Sequence, residues 1–185
     1  MKVLSFFLAI IILMSGCSHG NDKIEKALSI RSRLNESGCE FFAFITADYG
    51  EYIHEFGLEC TMNKLGELTF TVKSPESISG ISGIFDADGG KLTFDDKMLA
   101  FPPISEGLLT PVAAPWVFIN ALKGGYIDCG GMEGDYYRLR VDDSYEGKSL
   151  MVEFLMDDSC MPCTAQIYWE GRRMVHLQIE GFRIV

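Results

Sequence analysis

The chain has 185 residues, 26 of them acidic and 16 basic, for a formal net charge of −10. Such an acidic excess is repelled by phosphate backbones and anionic headgroups, which excludes nucleic acid as a partner and electrostatic docking to anionic lipid. Nearly half of the residues are hydrophobic, enough to build one domain with a sizeable core.

The N-terminus reads as an export signal. Lys2 supplies a minimal charged region, and Val3 to Leu13 is an apolar run interrupted only by Ser5. That is the length of a signal-peptide core, whereas spanning a bilayer takes about 20 apolar residues. Met14-Ser15-Gly16-Cys17 follows and resembles the lipobox of bacterial lipoproteins, a hydrophobic residue and two small ones before a cysteine. Small residues let a peptidase approach the backbone, and the cysteine thiol is the acceptor for diacylglycerol. The resemblance implies a signal peptide over residues 1–16, a lipid-anchored tether over 17–21, and a folded domain over 22–185. The implied partner is a bacterial membrane, reached through lipid on Cys17; two or three acyl chains hold stably because each buried CH2 contributes about 0.8 kcal/mol. The implied location is extracytoplasmic. Ser18 stands where many two-membrane bacteria place an aspartate to retain a lipoprotein at the inner membrane, so the choice of membrane stays open.

Asp22 to about Asn35 carries Ile24, Ala27, Leu28 and Leu34 near helical spacing, with Gly38 as a stop signal. Beyond it the text becomes β-rich, with short runs divided by turn signals at Asp48-Tyr49-Gly50-Glu51, Lys64-Leu65-Gly66, Asp88-Gly89-Gly90, Tyr145-Glu146-Gly147 and Glu170-Gly171-Arg172. If Tyr49-Gly50 is a two-residue loop, Cys39 lies opposite Cys60, Phe41 opposite Leu58, Ala43 opposite Phe56 and Ile45 opposite His54. The other face then carries Glu40, Glu55 and Glu59 with Phe42 and Phe44. Because disulfides persist outside the cytoplasm, this register predicts a Cys39–Cys60 bridge contributing about 3 kcal/mol by the loop-entropy model; two separate buried thiols are the alternative. Five cysteines follow Cys17, and an odd number cannot all pair. A second bridge is expected between Cys129 and either Cys160 or Cys163.

Thr110-Pro111 and Ala114-Pro115 are both plausible helix starts, and Gly124-Gly125 a stop. Val112, Trp116 and Ile119 would share a face of that helix, against the concave side of a sheet. Four more runs follow: Tyr136 to Val141, Leu150 to Met156, Thr164 to Trp169, and Arg173 to Val185. In the second, Leu150, Val152, Phe154 and Met156 alternate with Met151, Glu153 and Leu155, so both faces are apolar and neither is marked as the inner one.

The chemistry-bearing motifs are weak. Cys160-Met161-Pro162-Cys163 has the spacing of a thiol oxidoreductase, but Thr164 to Trp169 after it reads as strand, and the neighbouring carboxylates would raise a thiol pKa. Asp86-Ala87-Asp88-Gly89-Gly90 fails as an EF-hand, having Lys91 where glycine is required and Lys97 where a bidentate glutamate is required. His54 and His176 have no metal-ligand spacing, and no nucleophile elbow, phosphate loop or dinucleotide pattern occurs. No cofactor, metal or catalytic residue is indicated.

From Leu68-Thr69-Phe70-Thr71-Val72-Lys73-Ser74-Pro75-Glu76 the chain passes through the Gly89-Gly90 turn to Lys91-Leu92-Thr93-Phe94. It continues through the proline-bearing helix Thr110 to Leu122, then Met161 to Tyr168, the Gly171 hairpin and Ile179-Glu180-Gly181-Phe182. In order and spacing this resembles the lipoprotein-carrier superfamily typified by LolA and LolB. The resemblance implies an α+β, mainly β fold: a curved antiparallel half-open barrel, with an N-terminal and an inserted helix over its apolar concave face. It further implies a non-enzymatic protein that holds a lipid or other apolar ligand. Phe41, Ala43, Phe56, Leu58, Phe70, Val72 and Trp116 are the expected lining, with a filled core as their bland alternative. Two other classes stand beside it: a structural or sensing lipoprotein that binds a protein partner without a cavity, and an oxidoreductase using Cys160 and Cys163.

Overall fold

A computed structural model describes residues 18–185 other than Asp96, Glu106, Gly107, Tyr145 and Glu146, with side chains from Lys23 onward. Cys17 and the expected signal segment lie outside the described residues.

Helix α1 covers Ser18–Glu36, so most of the segment read as a tether is helical. Its polar residues carry no apolar stripe by which a helix could be recognised, yet extending an existing helix costs little once it is nucleated. Ala27, Ile30 and Leu34 form the buried stripe, and Leu28 is turned to solvent.

Six strands follow as consecutive hairpins: β1 (Cys39–Asp48), β2 (Ile53–Met62), β3 (Leu68–Ser74), β4 (Ser82–Asp86), β5 (Gly89–Phe94) and β6 (Lys97–Phe101). A small separate hairpin, β7 (Ile104–Ser105) and β8 (Leu108–Leu109), leads through a tight turn at Pro111–Ala113 into helix α2 (Ala114–Gly124). The chain then returns through β9 (Tyr126–Glu133), β10 (Tyr136–Asp142), β11 (Leu150–Met156), β12 (Pro162–Trp169) and β13 (Arg172–Ile184). All but β7 and β8 join one antiparallel sheet in the order β6-β5-β4-β3-β2-β1-β13-β12-β11-β10-β9. The first and last strands of the chain thus meet at its centre. The sheet is large, curved and not closed into a barrel, leaving β6 and β9 as its two edges.

The β1–β2 register differs from the expected one. Cys39 pairs with Met62, Phe41 with Cys60, Ala43 with Leu58, Ile45 with Phe56 and Ala47 with His54. The connection holds four residues instead of two: the Tyr49 amide donates to the Tyr52 carbonyl, and the Gly50 amide to Asp48 Oδ1. A shift of two residues preserves which side chains share a face but moves every opposite pair along by one step. Cys39 and Cys60 therefore lie diagonally on one face, both buried, as free thiols.

On β11 the ambiguity of the two apolar faces is resolved. Leu150, Val152, Phe154 and Met156 point into the core, while Met151, Glu153 and Leu155 are half-buried on the outer face.

Helix α2 fills the concavity. Ala114, Pro115, Val117, Phe118, Ile119, Ala121 and Leu122 are all buried, which marks a helix enclosed on nearly every side. Phe118 sits at the centre, its ring 5.6 Å from Phe41 and 5.6 Å from Phe154 by centroids. Helix α1 closes the C-terminal end of α2: Arg31 Nε donates to the Leu122 carbonyl at 2.8 Å and Asn35 Nδ2 to the Lys123 carbonyl at 3.2 Å. Those carbonyls belong to the last turn of α2, which lacks intrahelical donors and carries the negative end of the helix dipole, so a guanidinium is the favoured partner.

Candidate ligand site

The residues expected to line a cavity are placed in two ways. Phe41, Ala43, Leu58, Phe70 and Val72 are almost wholly buried and belong to one continuous core. Phe56 is half-buried and packs against that core from β2. These six face the concave side as expected, but α2 and its aromatic contacts occupy the space in front of them, and none of them lines the apolar pocket described next. Five of the six, all but Phe56, are buried core residues. Trp116 is different. It is half-buried, its Nε1 donates to the Gly66 carbonyl at 3.1 Å, and its ring lies 6.1 Å from that of Phe85.

Trp116 forms one wall of a pocket of about 540 Å³. Three parts of the chain build it. Trp116, Val117 and Asn120 come from α2, Ile104 and Leu109 from the β7–β8 hairpin, and Asp143 and Ser144 from the connection between β10 and β11, with Leu150 at the start of β11. Ala87 and Pro103 complete the rim. Apolar side chains dominate, with a few polar groups among them, the usual make-up of a small-molecule site of several hundred cubic ångströms. The small hairpin is pinned at its base: Tyr49 Oη donates to the Leu109 carbonyl, and the Thr110 amide to the Pro103 carbonyl at 2.7 Å.

Two polar residues, Asn120 and Asp143, are among the lining. Asn120 Nδ2 is buried and has no hydrogen-bond partner among the described residues; an unsatisfied buried donor of this kind costs about 1–3 kcal/mol. Burial raises the Asp143 carboxyl above the usual carboxylate range, and neighbouring Asp142 raises it further while Arg31 opposes both. Neither residue stands out in the sequence, because Asn120 lies on an otherwise apolar helix and Asp143 in a turn. The one legible signal is an amide inside a run of core residues.

Other hollows lie elsewhere on the surface. One of about 600 Å³ runs across Phe44, Thr46, Glu55, Ser74 and Gln178, but it is shallow, and the exposed Phe44 and Glu55 place it on the outer side of the sheet.

The thiols do not form a redox centre. Cys160 adopts a positive φ of 60° in the turn before β12, and its buried Sγ lies 3.7 Å from the Lys23 carbonyl. Cys163 is on β12 itself, and burial together with the Asp157 carboxylate raises its pKa. An oxidoreductase needs its thiolate stabilised, commonly at a helix N-terminus, and here a strand follows and the pKa moves upward. The expected bridge to Cys129 is also not formed: Cys129 is exposed on β9 and free, as is Cys163. Cys129 pairs with Arg140 on β10, and β10 and β11 separate it from Cys163 on β12.

A labelling experiment follows from burial. Burial pushes the Cys39 thiol up to about 12 and raises the Cys60 thiol well above its ordinary value, so neither is ionised near neutral pH. In the native chain at pH 8, Ellman's reagent should modify Cys129 promptly and leave Cys39 and Cys60 unmodified until urea is added. Rapid modification of Cys39 or Cys60 would contradict the packing described.

Among the described residues no helix is long and apolar enough to cross a membrane, and no group of three or more ligating side chains is placed to hold a metal ion.

No family model matches the chain, and no curated protein matches it. Solved structures do resemble it. A protein of the DUF1329 family from Desulfovibrio piger is 6% identical, with a TM-score of 0.49, over 89% of this chain and 92% of that one. A LolA superfamily protein from Nitrosomonas europaea is 7% identical, with a TM-score of 0.43, over 86% and 93%. The Mycobacterium tuberculosis lipoprotein LppX is 9% identical, with a TM-score of 0.40, over 87% and 93%. LolA-type proteins, to which the sequence bears a resemblance, are thus among the structures it is similar to; the likeness is one of chain course alone.

Proposed function

We propose that the chain is a non-enzymatic, extracytoplasmic lipoprotein, anchored to a bacterial membrane by lipid on Cys17, that takes a lipid or other apolar ligand into the pocket beside α2. The observation that carries the ligand reading is the pocket of about 540 Å³ walled by Ile104, Leu109, Trp116, Val117 and Leu150. Its volume is in the range that encloses a small apolar molecule. The anchor rests on the sequence Met14-Ser15-Gly16-Cys17 after an apolar run.

Mass spectrometry of the full chain under non-denaturing conditions tests both parts. The expected result is a covalent diacylglycerol mass that disappears in Cys17→Ala, and a non-covalent lipid mass that disappears in Ile104→Trp, whose indole would occupy the pocket. Retention of the covalent mass in Cys17→Ala removes the anchor. Absence of any bound apolar molecule in the wild type removes the ligand reading.

One observation favours a second reading, in which the sheet binds a protein partner. Phe94, Met98 and Leu99 are each more than 60% exposed on the β5–β6 hairpin, and β6 is an unpaired edge strand of the kind another chain can extend. The same measurement separates the two, since this reading requires no bound lipid.

A further inference from the structure

We infer that the outer face of the sheet docks an extended basic segment of another protein, laid along β1 with a cationic side chain between Glu55 and Glu180 and against the ring of Phe44. The site lies on the opposite side of the sheet from α2 and does not depend on the pocket there.

Local sequence opens the groove. Glu40, Phe42, Phe44 and Thr46 are the outer side chains of β1. Phe44 pairs with Gly57 on β2, and the Phe42 ring leans over that glycine, within 3.0 Å of where a Cβ would stand. On β13 the bulge opposite Glu40 and Phe42 contains Gly181. Without side chains at these two glycines, hollows remain on the outer face along β1. One of about 600 Å³ is lined by Phe44, Thr46, Glu55 and Glu180, and one of about 220 Å³ by Glu40, Phe42, Glu59 and Glu180. Glu180 borders both, and the Phe42 and Phe44 ring centroids are 4.7 Å apart. The hollows therefore adjoin in line, spanning about 20 Å from Glu40 to Thr46 at about 3.3 Å per residue.

Charge selects a cation. Arg183 neutralises Glu40, and Lys73 neutralises Glu59 at 2.7 Å. Glu55 and Glu180 have no ion pair or side-chain hydrogen bond among the described residues. His176, opposite Thr46, does not compensate them, because burial and Arg173 lower its pKa. Two unpaired carboxylates beside an exposed aromatic ring favour a guanidinium, which pairs with carboxylates and also lies on a π face. Shape selects a peptide. An extended chain presents every second side chain to one face, with the same period that separates Phe42 from Phe44. A compact cation would occupy one hollow and leave the other empty.

The probe is a fluorescently labelled peptide of alternating arginine and leucine, about six residues long to span the groove, read by anisotropy against the full chain. It is expected to bind about tenfold more tightly than its glutamate–leucine counterpart and to weaken as salt is added. Phe44→Ala should weaken it about three- to fivefold. Glu55→Gln together with Glu180→Gln should weaken it about tenfold. Asp128→Asn with Asp135→Asn removes the same charge at the β9 edge of the sheet and should leave binding unchanged. Binding that survives the glutamate substitutions, or falls equally with the aspartate ones, reflects net charge alone and overturns the site. Displacement by spermine as readily as by unlabelled peptide overturns the peptide as its occupant.

Discussion

Replacing Phe118 by alanine is expected to lower the unfolding free energy by about 3–5 kcal/mol, the range for deleting a buried phenylalanine side chain. Phe118 has no exposed surface, and besides Phe41 and Phe154 it meets Phe182 at 6.3 Å. These partners come from β1, β11 and β13, so one ring joins α2 to both halves of the sheet. The cavity left behind is bounded by strands held in the hydrogen-bonded ladder and cannot readily collapse, which puts the loss toward the upper end of the range. Urea unfolding of the full chain measures it, with Phe44→Ala as the control. Phe44 is 42% exposed on the outer face and touches Phe42, so its loss should cost less than about 1 kcal/mol. Similar midpoints for the two variants would mean that α2 does not fill the concavity as described.

Gly38→Ala is expected to cost about 3 kcal/mol, from overpacking and weakened backbone hydrogen bonds together. Gly38 has the appearance of an ordinary helix stop, but its environment makes a sharper demand. A Cβ there would lie 2.4 Å from the Met62 carbonyl oxygen, a backbone atom of the neighbouring strand. The residue cannot retreat, because its amide donates to the Val185 carbonyl and its carbonyl accepts from the Val185 amide, both at 3.0 Å. Thermal or urea denaturation reads the effect, and Gly66→Ala offers a comparison of a different origin. Nothing lies within 4 Å of a Cβ at Gly66, where the cost comes from its positive φ of 87° alone. A Gly38→Ala variant as stable as the unaltered chain would show that the ends of β1 and β13 are free to separate.

Much of the fold was legible, and for identifiable reasons. The alternation of Cys39, Phe41, Ala43 and Ile45 marked an inner face that survives a register error, because a two-residue shift leaves side-chain parity unchanged. Leu150–Met156 was legible to the residue as a strand. Pro111 and Pro115 at one end and Gly124-Gly125 at the other framed α2. Strand β9 was missed. Tyr126–Glu133 holds two glycines and an exposed cysteine and has almost no buried side chain, so a pairing made through the backbone left no pattern to read.

By itself the sequence determined the direction the faces take, in a β-rich domain with two framed helices and an apolar concave side, and raised the expectation of an export segment over residues 1–16. These follow from periodicity, turn chemistry and a local motif, all of which act over a few residues. Tertiary structure alone decided the rest. The four-residue turn set the β1–β2 register and parted Cys39 from Cys60. The packing of α2 and the sheet placed Phe41, Ala43, Leu58, Phe70 and Val72 in the core and left Trp116 at the pocket. The curvature of the sheet brought Ala87, Leu109, Trp116 and Asp143, far apart in the chain, around one pocket. Which apolar residues meet one another and which are left facing a space depends on how distant segments pack, and no short stretch of sequence carries that information.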